Sequence, residues 1–446
     1  MFNNFLEIKK LKLSHLIILL LIVRLVFFLP LINDKEKVVN VNVDAKHYCE
    51  LAYNLSLKKI YQSQYAIPKS LSFKKDIKEE NFDTIRPPLF PLFLSLFYLI
   101  YPSPYWASFF YLLLSIILLI IAKNYLTEKT FIIFSLLFIL SPQINFHSLL
   151  PMSDLLFGIF LFFTILFLKE NKNTISLIFL SLLPYVKPVA ILLPPFFALF
   201  YLIKKKIKLM FLYLLIPYLA ILPWCFLTYK KTGLFTFSTI PYINLFSYYV
   251  PFAKGLKEKI GYQKAKEIMN EELKNLIGDN YSQKEFYEGI RKIAFKELKK
   301  APLHFLISHS LFSLYTLISP ISFKPLLIYL TGKEAKNPLK EEVFSYFLKK
   351  KFLTGLKIFL ERLKILGIWG IFLLLYSTLF LFFILFNFIK SLKREKPILE
   401  LLIILPLTFS TGIIAHDRFR ILFEPLIYLF IARNLILKSL NQNYHH

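Results

Sequence analysis

Predominantly apolar runs recur along the whole chain, at Leu16 to Leu31, Tyr105 to Ala122, Phe131 to Leu140, Leu155 to Leu168, Ile175 to Tyr185, Val189 to Ile203, Leu209 to Leu227, Ile368 to Ile389, Leu401 to Ile414 and Ile421 to Leu437. That recurrence leaves few folds open. The 446 residues are 56% hydrophobic and 19% charged, with 49 Phe and 26 Tyr. A water-soluble core could not hide so much apolar surface, whereas a bilayer absorbs it. The reading is an all-α polytopic membrane protein with about ten transmembrane helices. Several runs are shorter than the ~20 residues a full crossing needs, so their ends extend into flanking polar residues or line a wet cavity. The first run follows a basic N-terminus and lacks a small-x-small cleavage site, which reads as an uncleaved first transmembrane helix.

A net charge of +27 raises nucleic acid as a partner, but the lysines fall in short clusters between apolar runs: Lys9, Lys10 and Lys12; Lys204 to Lys206; Lys393 to Lys396. This is the pattern of cytoplasmic loops under the positive-inside rule, not of a groove-tracking basic face, and no nucleic acid is expected. With the N-terminus inside, ten crossings put Lys123, the stretch 169–172, Lys204 to Lys206 and Lys393 to Lys396 in the cytoplasm, and the C-terminus inside too. Two further runs, Leu89 to Tyr101 and Leu303 to Ile318, would break that parity and are read as interfacial or re-entrant helices on the outer side. Three regions follow. Residues 1–228 form an N-terminal transmembrane catalytic module that includes a first outer loop, 33–104. Residues 229–365 form an extracytoplasmic or interfacial helical region, and 366–446 the C-terminal transmembrane helices. In the middle region Ser282 and Glu285 have the spacing of a capping box. Phe286, Ile290, Ile293 and Leu298 then mark one helical face, ended by Pro302. Cys49 and Cys225 form no metal or redox spacing, and nothing demands a disulfide between them.

Beside an apolar phase the informative residues are polar, because burying them without partners is costly. Five places stand out, all on the outer face under this topology. Asp44, followed by His47 and Tyr48, is either a general base for an attacking hydroxyl or a solvated loop carboxylate. Arg86, before Pro87 and Pro88, is either a clamp for a phosphate or carboxylate or a snorkelling interfacial arginine. Ser153 and Asp154 close a loop that begins at Ser141-Pro142 and contains His147. They supply either a helix N-cap or a second acid facing the cavity of Asp44. Lys187, before Pro188, either caps a helix end or meets a phosphate as a point charge. The fifth place runs from His416 to Arg420, where Arg418 and Arg420 suit a charged lipid head group or plain interfacial anchoring. Arg24, inside the first run, is either a functional candidate, as an isolated mid-membrane arginine is by default, or a partner of a carbonyl or of Glu400, and is left outside the site.

The order and wording of these places resemble the GT-C glycosyltransferase superfamily, in the branch of protein O-mannosyltransferases and lipid A aminoarabinose transferases. The resemblance rests on Asp44, Arg86-Pro87-Pro88, Ser153-Asp154, Lys187-Pro188, Pro223-Trp224 with Gly233, and Arg418-Phe419-Arg420, and it covers nearly the whole chain in order. Three positions depart from the pattern. Ala45 stands where the family often has a second acid, which weakens a paired-acid metal site and leaves a divalent metal ion open. Ile85 replaces the acid of the aminoarabinose branch and argues against that specificity. Lys187 replaces the commoner arginine.

The resemblance implies an inverting glycosyltransferase that moves a sugar from a polyprenyl-phosphate donor on the extracytoplasmic face of the cytoplasmic (inner) membrane. The acceptor would be a protein, a glycolipid or a glycan. Asp44 and Asp154 would be catalytic. Arg86, Lys187, Arg418 and Arg420 would bind the donor phosphate. His47, Tyr48, His147 and Ser153 are the candidate acceptor or sugar contacts. The rival readings are a transporter or flippase for lipid-linked saccharides, which needs no base at Asp44, and a polysaccharide polymerase or ligase using lipid-diphosphate donors.

Overall fold

The computed structural model describes residues 11–32, 34–68, 71, 81–319, 323–331, 352–392, 398–412 and 417–442. Lys9, Lys10, Lys393 to Lys396 and His416 lie outside the described residues. The chain opens with α1 (Leu13–Phe28), α2 (Lys35–Asn40) and α3 (Val43–Tyr53). A two-residue antiparallel pairing of β1 (Gln62–Ser63) with β2 (Asn81–Phe82) follows, and among the described residues it is the only sheet. Next come α4 (Leu89–Tyr98), α5 (Trp106–Tyr125), α6 (Glu128–Leu140), α7 (Pro142–His147), α8 (Asp154–Lys169), α9 (Asn173–Val186), α10 (Leu193–Ile203) and α11 (Ile207–Thr232). The middle region holds α12 (Ile240–Asn244), α13 (Val250–Lys257), α14 (Tyr262–Ile277), α15 (Gln283–Lys300), α16 (Pro302–Ile318) and α17 (Phe323–Thr331). The last elements are α18 (Phe352–Leu392, broken by a kink at Gly367, φ 65°), α19 (Ile398–Phe409), α20 (Asp417–Arg420) and α21 (Glu424–Gln442).

Helix α8 is apolar on every face, and a helix of that kind must be buried all round. It is: every residue from Asp154 to Leu168 is buried, under α5, α9 and α21. Close approach of the turn that leads into α21 is possible because position 158 is glycine; a Cβ there would lie 2.4 Å from the Ile421 carbonyl oxygen and 3.4 Å from Pro425 Cδ at the start of α21. Helices α1, α5, α11 and α18 instead show apolar side chains outward, among them Ile18, Ile117, Leu219 and Leu379, as a lipid-facing surface requires.

Four helical stretches are long and apolar enough to cross a membrane: Leu13–Leu31, Trp106–Tyr125, Ile207–Thr232 and Lys364–Leu392. The bent pair α15–α16, which meets at 99°, makes a fifth if counted as one span. Several other expected spans are short helices, such as 173–186, 188–203 and 398–409. The described chain is therefore all-α with four or five candidate spans, rather than ten helices of spanning length. Helix α4 has 10 residues, too short to cross alone.

Local expectations in the middle region hold. Ser282 Oγ accepts from the Glu285 amide at 3.2 Å and the Glu285 carboxylate accepts from the Ser282 amide at 2.8 Å. Phe286, Ile290 and Ile293 are buried, and Leu298 packs beside them. This core continues into the first loop through Ile67, Leu71 and Ile85, so the middle region sits on the segment that carries Arg86.

Candidate functional site

Each functional side chain is placed by a local rule. Asn42 caps α3 by accepting from the Asp44 amide at 3.0 Å, which sets Asp44 in the first helical turn, where the helix dipole favours an anion. Two prolines start α4 and leave Arg86 just outside it. Asp154 occupies the first turn of α8. Lys187 precedes Pro188 and is extended (φ −152°, ψ 130°), as the residue before a proline tends to be, and this breaks the apolar run between α9 and α10. Arg418 lies in the four-residue α20.

These elements bring five charges together. Arg418 bridges the two acids: its Nη2 lies 2.6 Å from Asp44 Oδ2, and its Nε donates to Asp154 Oδ2 at 3.0 Å. Arg86 pairs with Asp44 Oδ1, and Lys187 with Asp154 Oδ1. All four carboxylate oxygens thus face cations. Aromatic rings line the cluster: the Arg86 guanidinium lies 5.2 Å from the Tyr48 ring centre and the Lys187 ammonium 5.1 Å from that of Phe419. Tyr48 and Ser153 share a hydrogen bond of 2.8 Å, which ties α3 to the start of α8.

Asp83 joins from behind. Its Oδ1 accepts from the amides of Ile85 (3.0 Å) and Arg86 (2.7 Å), and its Oδ2 pairs with His47 Nε2. Arg86 Nε donates to His47 Nδ1 at 3.2 Å. Sequence reasoning missed Asp83. The available signal was an Asp three residues before Arg86, the spacing at which an Asp side chain bonds a following turn. The middle region holds the same segment: Thr239 donates to the Thr84 carbonyl at 2.8 Å and Ser238 to the Ile85 carbonyl at 2.7 Å.

Side-chain exposure falls inward, from 21% at Asp44 through 12% at Arg86 and Lys187 and 8% at Arg418 to 1% at Asp154. Asp44 is thus the most reachable of the five. Burial alone would raise its carboxyl, but Arg86 and Arg418 hold it well below the usual carboxylate range. Burial likewise disfavours the charged Arg86, and the facing Asp44 outweighs it.

Arg420 is not in the cluster. Its Nε donates to Glu424 at 3.2 Å and its Nη1 to the Ser319 carbonyl at 2.5 Å, so it braces α20 against α21 and the end of α16. His47 is 2% exposed with both ring nitrogens bonded to protein, to Asp83 and Arg86. Tyr48 and Ser153, bonded to each other, are also buried, at 2% and 0%. His147 lines a cavity of about 10 Å³ beside Arg418 and Asn42, a volume on the scale of one water. Arg24 donates to the Ile144 carbonyl at 3.0 Å and to Ser115 Oγ at 3.3 Å, while Glu400 pairs with Lys169. Both C-terminal Arg418 and N-terminal residues build the cluster, so residues 1–228 do not complete it alone.

Among the described residues no group of three or more His, Cys, Asp or Glu side chains is arranged to hold a metal ion. What fold and site define together is an all-α chain with membrane-length apolar helices and a largely buried cluster of acids and cations drawn from residues 44–187 and from Arg418. Compared with protein-family models, with curated proteins and with solved structures, the chain matches none.

Proposed function

We propose that this protein is an inverting GT-C-type glycosyltransferase, embedded in the cytoplasmic membrane by about ten helical passes, that takes its sugar from a polyprenyl-phosphate donor at the extracytoplasmic face. The observation that carries the reading is Arg418 bridging Asp44 and Asp154, with Arg86 and Lys187 completing the cluster. In the reaction an acceptor hydroxyl attacks the anomeric carbon. The new C–O bond forms as the C–O bond to phosphate breaks, the hydroxyl proton passes to Asp44, and the lipid phosphate leaves with the bonding electrons.

The charge balance says how such a site would work. Asp44, Asp83 and Asp154 face Arg86, Lys187 and Arg418, so the core holds no excess positive charge for an anion. The donor therefore enters by exchange, its phosphate taking over guanidinium contacts now made to Asp44. This exchange also addresses a weakness of Asp44 as a base. A carboxyl held low by two arginines is a poor proton acceptor, and basicity returns as the phosphate draws those arginines off. Asp154, far less exposed, keeps Lys187 and Arg418 in place.

The test is binding of candidate polyprenyl-phosphate sugars to the purified full chain in nanodiscs, with the retained lipid identified by mass spectrometry. A charge-assisted phosphate contact is worth about 1.5–3 kcal/mol, and the Asp44 contact that Arg86 gives up on exchange offsets part of it, so Arg86→Gln should weaken retention by about ten-fold at most. Retention of none of these lipids by the unmodified protein would refute the donor assignment. Lipid movement between leaflets with no sugar transfer would favour a flippase.

A further inference from the structure

We propose that Asp83 and His47 are positioning residues: together they keep the His47 proton on Nε2, so that Nδ1 can accept from Arg86 Nε and hold the guanidinium against Asp44. The use of Arg86 for a donor phosphate rests on the glycosyltransferase reading; the tautomer lock does not.

The geometry admits one arrangement of protons. A guanidinium N–H only donates, so the His47 Nδ1 that Arg86 meets at 3.2 Å is an acceptor. The ring proton then sits on Nε2, which faces Asp83 Oδ2. A carboxylate only accepts, so it stabilises that tautomer and no other. Asp83 is 0% exposed and His47 2%, so water does not compete for these bonds. The other oxygen of Asp83 is also committed, to the amides of Ile85 and Arg86. One buried carboxylate thus fixes Arg86 twice, through its backbone and, by way of His47, through its side chain. The Tyr61 hydroxyl adds a bond of 2.8 Å to the Arg86 carbonyl. The logic is that of the carboxylate which orients a metal-binding histidine, with a guanidinium in place of the metal.

Asp83→Asn separates this role from simple turn capping. The amide oxygen can still accept from the two backbone amides. Its NH2 then faces Nε2, which forces the ring proton onto Nδ1 and sets N–H against the Arg86 Nε–H. The full-length protein, labelled with ¹⁵N-histidine in nanodiscs, reads the tautomer directly; the chain has 8 His, and the signal lost in His47→Asn assigns the ring. The expected result is the Nε2–H tautomer in the unmodified protein and Nδ1–H in Asp83→Asn. Affinity for a polyprenyl monophosphate should fall by up to about ten-fold in Asp83→Asn, the low end of the loss a metal site suffers when its orienting carboxylate is removed. His47→Asn places an amide oxygen near Nδ1 with no tautomer to choose, so in that background Asp83→Asn should cost less than three-fold. An Nδ1–H tautomer in the unmodified protein overturns the proposal without any variant. So does an equal loss from Asp83→Asn in both backgrounds, which is what turn capping alone would give. If the tautomers switch as expected while the unmodified protein binds no polyprenyl phosphate, the donor reading fails and the positioning of Arg86 stands.

Discussion

Asp44→Asn is expected to move donor binding and sugar transfer in opposite directions. The substitution keeps the side-chain shape and removes the charge that Arg86 and Arg418 share. A donor phosphate must displace residue 44 from both guanidiniums. Against the carboxylate each displaced contact costs about 1.5–3 kcal/mol, and against a neutral amide about 0.5–1.5 kcal/mol. The difference is about 1 kcal/mol per contact, so two contacts would tighten donor binding by at most about thirty-fold. Asp44 is 21% exposed, and solvent screening reduces the gain toward about ten-fold. Transfer should meanwhile fall by about 10²–10⁴-fold, the usual contribution of a positioned base. Titrating a polyprenyl-phosphate sugar into nanodisc-embedded protein, followed by mass spectrometry, measures the first quantity. Release of lipid phosphate in the presence of acceptor measures the second. Weaker donor binding would refute the exchange argument, and full transfer activity would remove Asp44 from the chemistry.

Three other outcomes are expected. Arg420→Ala should leave donor affinity within about two-fold but destabilise the fold by about 3–5 kcal/mol, because Glu424, 2% exposed, loses its cation; a melting curve unchanged from the parent would contradict that role. Gly158→Ala should cost about 1–3 kcal/mol of stability by pushing α8 from the turn at Ile421 that leads into α21, read as a lowered melting temperature, and an unaltered one would show that this turn does not pack closely on α8. For topology, a cysteine at the half-exposed Lys284 should react with an impermeant thiol reagent in intact cells, while one at the exposed Lys205 should react only after permeabilisation, both in a background lacking Cys49 and Cys225. The reverse pattern would turn the orientation over.

Much of this protein is legible as one-dimensional text because the rules involved are local. Apolar runs become helices, Ser282 and Glu285 cap α15, Pro188 forces Lys187 out of the helix, and the prolines after Arg86 end the loop that holds it. Asp44, Asp154, Arg86, Lys187 and Arg418 stand out for the same reason: charges beside apolar runs are too costly to be placed without partners. Which charge meets which is another matter. Arg418 and Arg420 look equivalent in the sequence, yet successive helical residues are about 100° apart, so residues two apart point to nearly opposite sides. Within α20 one arginine therefore reaches Asp44 and Asp154 while the other turns to Glu424. Asp83 and His47 lie 36 residues apart, and only folding of the first loop back onto α3 makes them a pair. The sequence determined which segments are apolar and where charge must collect. Tertiary packing decided the pairings, because an ion pair depends on distance in space and the chain records only distance along itself.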